Sequence, residues 1–79
     1  MGEFFRVWEI ARDKYGLERV VHFDLEEAYM RIYLDGKIIV RVDTSSDDKE
    51  LLYLQAAKRL LGWMEMRERM KDERRVQDH

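Results

Sequence analysis

The hydrophobic positions near the start of the chain recur with the period of an α-helix. At spacings of i, i+4, i+7 and i+11, the stripe contains Phe4, Trp8, Ala11 and Tyr15. This spacing places the four side chains on one face of a helix. Gly16 follows the stripe, and glycine readily adopts the left-handed conformation that ends many helices. The pattern therefore predicts a helix over residues 3–15.

Three short apolar runs follow, and they predict β-strands at residues 19–23, 28–34 and 37–43. The DLEE segment between the first two runs is interpreted as a loop. A competing interpretation is a short helix within residues 24–32, because Asp24 and Glu27 have the spacing of a capping box. The Asp35-Gly36 pair favours the strands, since this dipeptide is a strong signal for a β-hairpin.

The burial pattern predicts the register of this hairpin. A three-residue loop with Gly36 in a left-handed bulge aligns the aliphatic residues, whereas a two-residue loop would mix charge into both faces. The three-residue loop pairs Ile32 with Ile38, Met30 with Val40 and Ala28 with Val42. Among the aliphatic residues, Ile39 alone then joins the opposite face. That face carries Tyr29, Arg31, Tyr33, Lys37 and Arg41.

The polar segment TSSDDKE at residues 44–50 predicts the start of the last helix. Its expected N-cap is Ser45, Ser46 or Asp47, because these residue types accept hydrogen bonds from the first helical N–H groups. A helix over residues 47–75 follows, and its length would be about 43 Å. A compact domain of this size is only about 30 Å across. The C-terminal part of this helix should therefore project.

The projecting part carries an apolar stripe at i, i+3 and i+7, which consists of Trp63, Met66 and Met70. Methionine and tryptophan on a projecting helix are typical of helix–helix contacts. The stripe predicts a surface for self-association, giving a homodimer through the C-terminal helix, or for a partner helix. Ordinary packing within the chain is the alternative.

Together these elements define an α+β fold in two layers. A helix, a three-stranded antiparallel meander and a long helix follow one another, with both helices on one sheet face. The 79 residues accommodate a single domain, residues 1–79, and the absence of cysteine excludes disulfides, zinc–thiolate sites and a thiol nucleophile. No apolar run has the length of a membrane span, and the first residues do not resemble a signal peptide. We therefore expect a cytoplasmic protein without membrane contact.

The acidic residues are concentrated at one end of the predicted fold, where the first strand connection and the junction to the last helix meet. This end, which we call the acidic pole, contains Asp24, Glu26, Glu27, Asp43, Asp47, Asp48 and Glu50. With Lys49, these seven carboxylates give a charge of about −6, and the remaining 10 acidic and 14 basic residues give +4. Such a pole attracts basic partners.

Few residues in the sequence are suited to catalysis. Apart from tyrosine, the hydroxyl residues are Thr44, Ser45 and Ser46, and the histidines are His22 and His79. The start of the last helix accounts for the hydroxyl residues, which leaves no evident nucleophile–base pair. Asp35-Gly36-Lys37 has the D-x-K spacing of metal-dependent nucleases, but the hairpin turn already explains Asp35. We expect a protein that is not an enzyme and has no cofactor and no metal.

Nucleic-acid binding is the main alternative to protein binding. The exposed sheet face would carry Tyr29, Arg31, Tyr33 and Arg41. Aromatic and cationic side chains on one face can stack bases and hold phosphates. The same residues can also serve as cross-strand pairs that keep a sheet face soluble.

The order of helix, three strands and helix resembles the double-stranded RNA-binding domain, and AAKRLL at residues 56–61 is similar to part of that family's second helix. The resemblance implies this topology and RNA binding. That family has phosphate-binding lysines at the start of its second helix, where this chain reads SSDDKE. Asp47 and Asp48 would repel phosphate.

Size and charge are also similar to those of small acidic α+β phage proteins that block host or defence machinery. From the acidic pole and this profile we hypothesise a non-catalytic protein-binding module. It would be a small stoichiometric inhibitor or regulator, of viral type, that engages a protein partner with a basic surface. A nucleic-acid-binding module with a topology like that of the double-stranded RNA-binding domain is the alternative.

Overall fold

The computed structural model describes residues 2–44 and 48–77, and the elements follow one another in the predicted order. They are helix α1 (Gly2–Tyr15), strands β1 (Glu18–Phe23), β2 (Ala28–Leu34) and β3 (Lys37–Thr44), and helix α2 (Lys49–Gln77). The segment between β1 and β2 is a loop, not the alternative helix. The predicted α+β fold is confirmed.

The three strands form one antiparallel sheet in the order β1-β2-β3. One face contributes to the core through the buried side chains of Ala28, Met30, Ile32, Val40 and Val42. The helices cover this face with Phe4, Trp8, Ala11, Leu52, Ala56, Ala57 and Leu60. Because side chains alternate along a strand, the intervening residues form an outer face that neither α1 nor α2 covers in the described part of the chain.

The hairpin between β2 and β3 differs from the predicted one. Leu34 pairs with Lys37, so the loop has two residues, and both Asp35 (φ 51°) and Gly36 (φ 78°) are left-handed. This combination is that of a type I′ turn, which suits the twist of the flanking strands. Gly36 is left-handed as expected, but it lies in the turn itself. The prediction of a three-residue loop is therefore wrong.

A bulge in β3 restores the burial pattern beyond the turn. Tyr33 pairs with Ile38, whereas Ile32, the residue before it in β2, pairs with Val40, so Ile39 is the extra residue. The predicted pairs Ile32–Ile38, Met30–Val40 and Ala28–Val42 are replaced by Ile32–Val40, Met30–Val42 and Ala28–Thr44. Ile38 and Ile39 also lie on the opposite faces of the sheet from those predicted. Ile38 is 50% exposed on the outer face, and Ile39 is half-buried against the core.

The left-handed turn makes Asp35 sensitive to β-branched replacements. We expect Asp35→Val to lower the free energy of unfolding by about 1–2 kcal/mol, because the two methyl groups on the valine Cβ crowd the backbone at positive φ. Asp35→Asn should be nearly neutral, since asparagine favours this conformation. Urea denaturation of the two variants measures the difference, and equal losses would contradict the type I′ turn.

Asp48 is the N-cap of α2. Its Oδ1 accepts a hydrogen bond from the N–H of Leu51 at 3.2 Å, and its main-chain carbonyl accepts one from Leu52 at 3.1 Å. The predicted caps, Ser45, Ser46 and Asp47, lie outside the described residues. An N-cap side chain contributes about 0.5–2 kcal/mol to stability. Asp48 therefore has a structural role.

The C-terminal end of α1 packs against the middle of α2. Tyr15 packs edge-on against Trp63, with ring centroids 4.9 Å apart, and its hydroxyl donates to Oε1 of Glu68 at 2.5 Å. Lys14 forms an ion pair with the same oxygen at 2.6 Å. These contacts hold α2 against α1 as far as Glu68.

Beyond this contact α2 extends the molecule, which measures 54 Å along its longest axis and 24 and 20 Å along the others. The predicted stripe on this helix is divided. Trp63 packs within the chain, whereas Met66 and Met70 are exposed. Among the described helices, none combines the length and the apolar composition that crossing a lipid bilayer requires.

Candidate acidic binding site

The loop between β1 and β2 is held in shape by Asp24. Its Oδ1 accepts hydrogen bonds from the N–H groups of Glu26 (2.8 Å) and Glu27 (2.9 Å). Its Oδ2 accepts one from Nε2 of His22 at 3.1 Å, and its own N–H donates to the Glu27 carbonyl at 3.0 Å. Aspartate suits this position because its short side chain reaches main-chain donors a few residues ahead. Asp24 is therefore a structural residue of the loop.

Beside this loop lies an open concavity of about 720 Å³. It is lined by Asp24, Glu26, Glu27, Asp43 and Thr44. The loop contributes the first three residues, and the end of β3 contributes the last two. These segments meet because antiparallel pairing brings the start of β2 beside the end of β3, as Ala28 opposite Thr44 shows.

Asp43 lies on the outer face of the sheet and is hydrogen-bonded to two arginines there. Its Oδ1 accepts a hydrogen bond from Arg31 at 2.8 Å, and its Oδ2 accepts one from Arg41 at 3.2 Å. Arg31 also donates to two main-chain carbonyls and lies 4.6 Å from the centre of the Tyr29 ring. The hydrogen bond from Arg31, supported by that from Arg41, lowers the pKa of Asp43. The charge of Asp43 is thus balanced within the sheet.

Glu26 and Glu27 differ from these aspartates. Among the described residues, neither carboxylate forms a hydrogen bond or an ion pair, and both side chains are exposed. Between them and Asp24, the side chain of Leu25 is 91% exposed. The loop therefore presents one apolar side chain beside two uncompensated negative charges.

Leu25 is the residue that sequence reasoning missed. The sequence did indicate it, because Leu25 is an apolar residue among acidic residues. It also lies between two predicted strands, so neither strand could bury its side chain. A single exposed leucine on a surface is common. Its position on a loop fixed by the hydrogen bonds of Asp24 is what makes it a candidate contact residue.

The remaining residues of the acidic pole have separate places. Asp48 caps α2, Glu50 lies exposed in the first turn of that helix, and Asp47 lies outside the described residues. The pole thus contains carboxylates that hold the fold, namely those of Asp24, Asp43 and Asp48. It also contains exposed carboxylates without a partner among the described residues, namely those of Glu26, Glu27 and Glu50.

The hydrogen bonds to Asp24 have a consequence for stability in acid. The N–H groups of Glu27 and Glu26, followed by the His22 side chain, lower the pKa of Asp24 from 3.8 to about 2. A carboxylate whose pKa is lower in the folded state stabilises the fold above its unfolded pKa. That contribution is lost as the pH falls through the folded pKa. The free energy of unfolding should therefore decline between about pH 4 and about pH 2.

Asp24→Asn should make this decline shallower, because asparagine keeps the Oδ1 acceptor but does not titrate. Urea denaturation at several pH values between about 5 and about 2 measures the slope. Glu68→Gln is the comparison variant, since Lys14 and Tyr15 lower the pKa of Glu68 to about 2 as well. Each variant should reduce the dependence of the free energy of unfolding on pH by the contribution of the carboxylate that it replaces. An unchanged dependence in Asp24→Asn would contradict the role given to Asp24.

His22, Asp24 and Glu27 are the described residues close enough to hold a metal ion, with one donor atom of each lying within 4.8 Å of the others. Nε2 of His22 and Oδ2 of Asp24 are hydrogen-bonded to each other, and Oδ1 of Asp24 is bonded to the main chain. The His22 ring also stacks on Tyr29, with centroids 5.0 Å apart. The fold of the loop thus explains the positions of His22 and Asp24.

The outer face of the sheet consists of three rows across the strands. They are Glu18–Tyr33–Ile38, Val20–Arg31–Arg41 and His22–Tyr29–Asp43. All four candidate nucleic-acid-binding residues, Tyr29, Arg31, Tyr33 and Arg41, lie on this face. The Arg31 side chain is only 16% exposed, and both arginines bond to Asp43. Such cross-strand pairs stabilise a sheet and leave little free positive charge.

Comparison of the chain with protein-family models, with curated protein sequences and with solved structures finds no match in any of the three.

Proposed function

We propose that this chain is a non-catalytic protein-binding module that engages a basic protein surface through the loop between β1 and β2. The observation that carries the proposal is the presentation of Leu25, Glu26 and Glu27 on a loop that Asp24 fixes by hydrogen bonds. A loop that is ordered before binding loses little conformational freedom when a partner is bound. This favours a dedicated binding surface.

The chemistry of the loop defines the partner. Leu25 suits a small apolar pocket, and Glu26 and Glu27 suit lysine or arginine side chains around its rim. The concavity beside the loop adds Asp43 and Thr44 as its far wall. Long-range attraction to this acidic surface should speed association and weaken as salt is added.

A module of this kind would act inside the cell as a stoichiometric inhibitor or regulator. It would cover a basic surface of its partner and so block the interactions that this surface makes. The similarity in size and charge to small acidic phage proteins supports this role. Exposed Met66 and Met70 are available for a helix of the same partner or for pairing of two α2 helices. Trp63 supports this surface from within the fold through its contact with Tyr15.

An NMR titration tests the proposal with a peptide of alternating lysine and leucine. We expect chemical-shift changes at residues 24–27 and 43–44, and these changes should require more peptide at higher salt. A peptide of alternating glutamate and leucine is the matched control and should produce no such changes. Changes confined to the outer sheet face, or an equal response to the two peptides, would contradict the proposal.

Leu25 can be tested separately from the charges. Leu25→Asn should leave the melting temperature unchanged, because the side chain is not buried. It should weaken binding of the lysine–leucine peptide but not of oligolysine, which has no apolar side chain for the loop to contact. Equal effects on the two peptides would exclude Leu25 as an anchor.

Nucleic-acid binding through the outer sheet face receives less support. Asp43 forms ion pairs with both Arg31 and Arg41, and Glu18 supplies a second negative charge on the same face, so the two positive charges are offset. The start of α2 has the acidic Asp48 as its N-cap, where the double-stranded RNA-binding domain has lysines. Phosphate binding depends on uncompensated positive charge.

A further inference from the structure

The two edges of the sheet differ in how well they are protected. In β3, the Ile39 bulge interrupts the regular edge, and Arg59 of α2 donates a hydrogen bond to the Arg41 carbonyl at 3.2 Å. Bulges and side chains that occupy edge carbonyls both discourage the addition of another strand. By contrast, β1 is paired with β2 in unbroken register along all six of its residues. Its other edge has no strand partner within the described part of the chain.

The side chains of β1 are compatible with pairing at this edge. The Arg19 guanidinium lies 5.0–5.4 Å from the ring centroids of Phe4, Phe5 and Trp8, so this side chain is engaged by α1. On the outer face, Val20 is 48% exposed between Glu18 and His22. A regular strand with a free edge and an exposed valine is a template for pairing with another strand.

We propose that two copies of this chain associate through β1, antiparallel about a two-fold axis at Val20. In any such pairing, outer-face side chains must lie opposite outer-face side chains. Three registers near the middle of the strand meet this condition. An axis at Arg19 places that arginine against itself, and an axis at Val21 places Glu18 against Asp24 of the second copy. Both alternatives bring like charges together, which destabilises strand pairing.

The axis at Val20 avoids these repulsions. It places Val20 against Val20, Glu18 against His22 of the second copy, and Arg19 against Val21. A valine opposite a valine is a favourable cross-strand pair, and a carboxylate opposite an imidazole brings no like charges together. The same contacts occur twice because the interface is isologous. In this register the surface places no like charges directly opposite each other and matches one apolar side chain with another.

The resulting assembly has a continuous sheet in the order β3-β2-β1-β1-β2-β3. A pair of six-residue strands buries less than the roughly 1,600 Å² of a typical stable complex. The dimer should therefore be weak, with a dissociation constant in the micromolar range or above. Because the two β1 strands are antiparallel, the acidic concavities lie at opposite ends of the assembly. The dimer could thus bind two basic sites at once.

Sedimentation analysis tests the dimer and does not depend on any partner. The mean mass of the wild-type protein should rise above 9.7 kDa as its concentration is raised. Val20→Lys should keep the protein monomeric, because it places two cations against each other. Ile38→Lys is the matched control, since Ile38 is equally exposed on the same face but lies in β3. It should behave like the wild type.

Single cysteines test the register, because the natural chain has none. Val20→Cys should form a disulfide-linked dimer rapidly under mild oxidation, since each introduced thiol lies opposite its symmetry mate. Glu18→Cys should not, because its symmetry mate is about 13 Å away along the strand. A wild-type protein that stays monomeric at about 1 mM, or equal crosslinking of the two variants, would overturn the proposal. So would loss of the dimer in Met66→Lys but not in Val20→Lys, which would assign association to α2.

Discussion

The double variant Glu26→Lys/Glu27→Lys is expected to bind a basic partner at least about tenfold more weakly than the wild type, a loss of about 1.4 kcal/mol. The change replaces attraction by repulsion at the loop that we propose as the contact surface. The melting temperature should be unchanged, since neither carboxylate has a partner among the described residues. Titration of the variant with the lysine–leucine peptide, together with a thermal melt, measures both quantities.

The matched control is Glu9→Lys/Glu65→Lys. It changes the net charge by the same amount, at two exposed helix positions that do not line the concavity. Asp24, Asp43 and Asp48 are unsuitable for charge reversal, because each stabilises the fold through hydrogen bonds. We expect near-normal binding in the control. Equal losses in the two double variants would show that binding depends on net charge alone and not on the loop.

Replacement of Leu60 by alanine is expected to have the largest effect on stability. Leu60 is 0% exposed and belongs to the core that α2 shares with the sheet. Removing a buried leucine side chain costs about 2–5 kcal/mol, through lost burial and the cavity that remains. A small domain has a total stability of about 5–15 kcal/mol, so the variant should be much less stable. Urea denaturation measures the loss.

The neighbouring residue is a natural control for this experiment. Leu61 is 38% exposed, one position further along the same helix. Leu61→Ala removes the same atoms from the same helix and should cost about 1 kcal/mol or less. Similar losses at the two positions would contradict the orientation of α2, because the helix would then have to bury both side chains.

The order of elements is predictable from the sequence because it depends on local periodicity. The helical stripe, the hairpin dipeptide and the polar start of the last helix each identify one element without reference to the others. The hairpin register was not predictable in this way. A three-residue loop buries Met30, Val40 and Val42, and so does a two-residue turn followed by a bulge at Ile39. The burial pattern requires one extra residue but does not determine where it is inserted.

The position of the candidate site was predictable from the sequence, but the role of each of its carboxylates was not. Antiparallel topology alone brings residues 24–27 beside the end of β3. Whether a given carboxylate is free depends on hydrogen bonds that are visible only in three dimensions. Asp24 turns its oxygens to the loop, whereas Glu26 and Glu27 turn theirs to solvent. The contact of Lys14 and Tyr15 with Glu68 joins residues more than fifty positions apart, so no local pattern indicates it.

A paired fluorescence-anisotropy titration distinguishes peptide binding at the loop between β1 and β2 from nucleic-acid binding at the outer sheet face. One series uses the labelled lysine–leucine peptide, and the other uses labelled double-stranded RNA and single-stranded DNA, each at about 50 and about 200 mM salt. We predict that the peptide binds and that its affinity falls as salt is raised, while neither nucleic acid binds at the lower salt. Micromolar, salt-sensitive binding of a nucleic acid without binding of the peptide would contradict the proposed protein-binding function and assign binding to the outer sheet face.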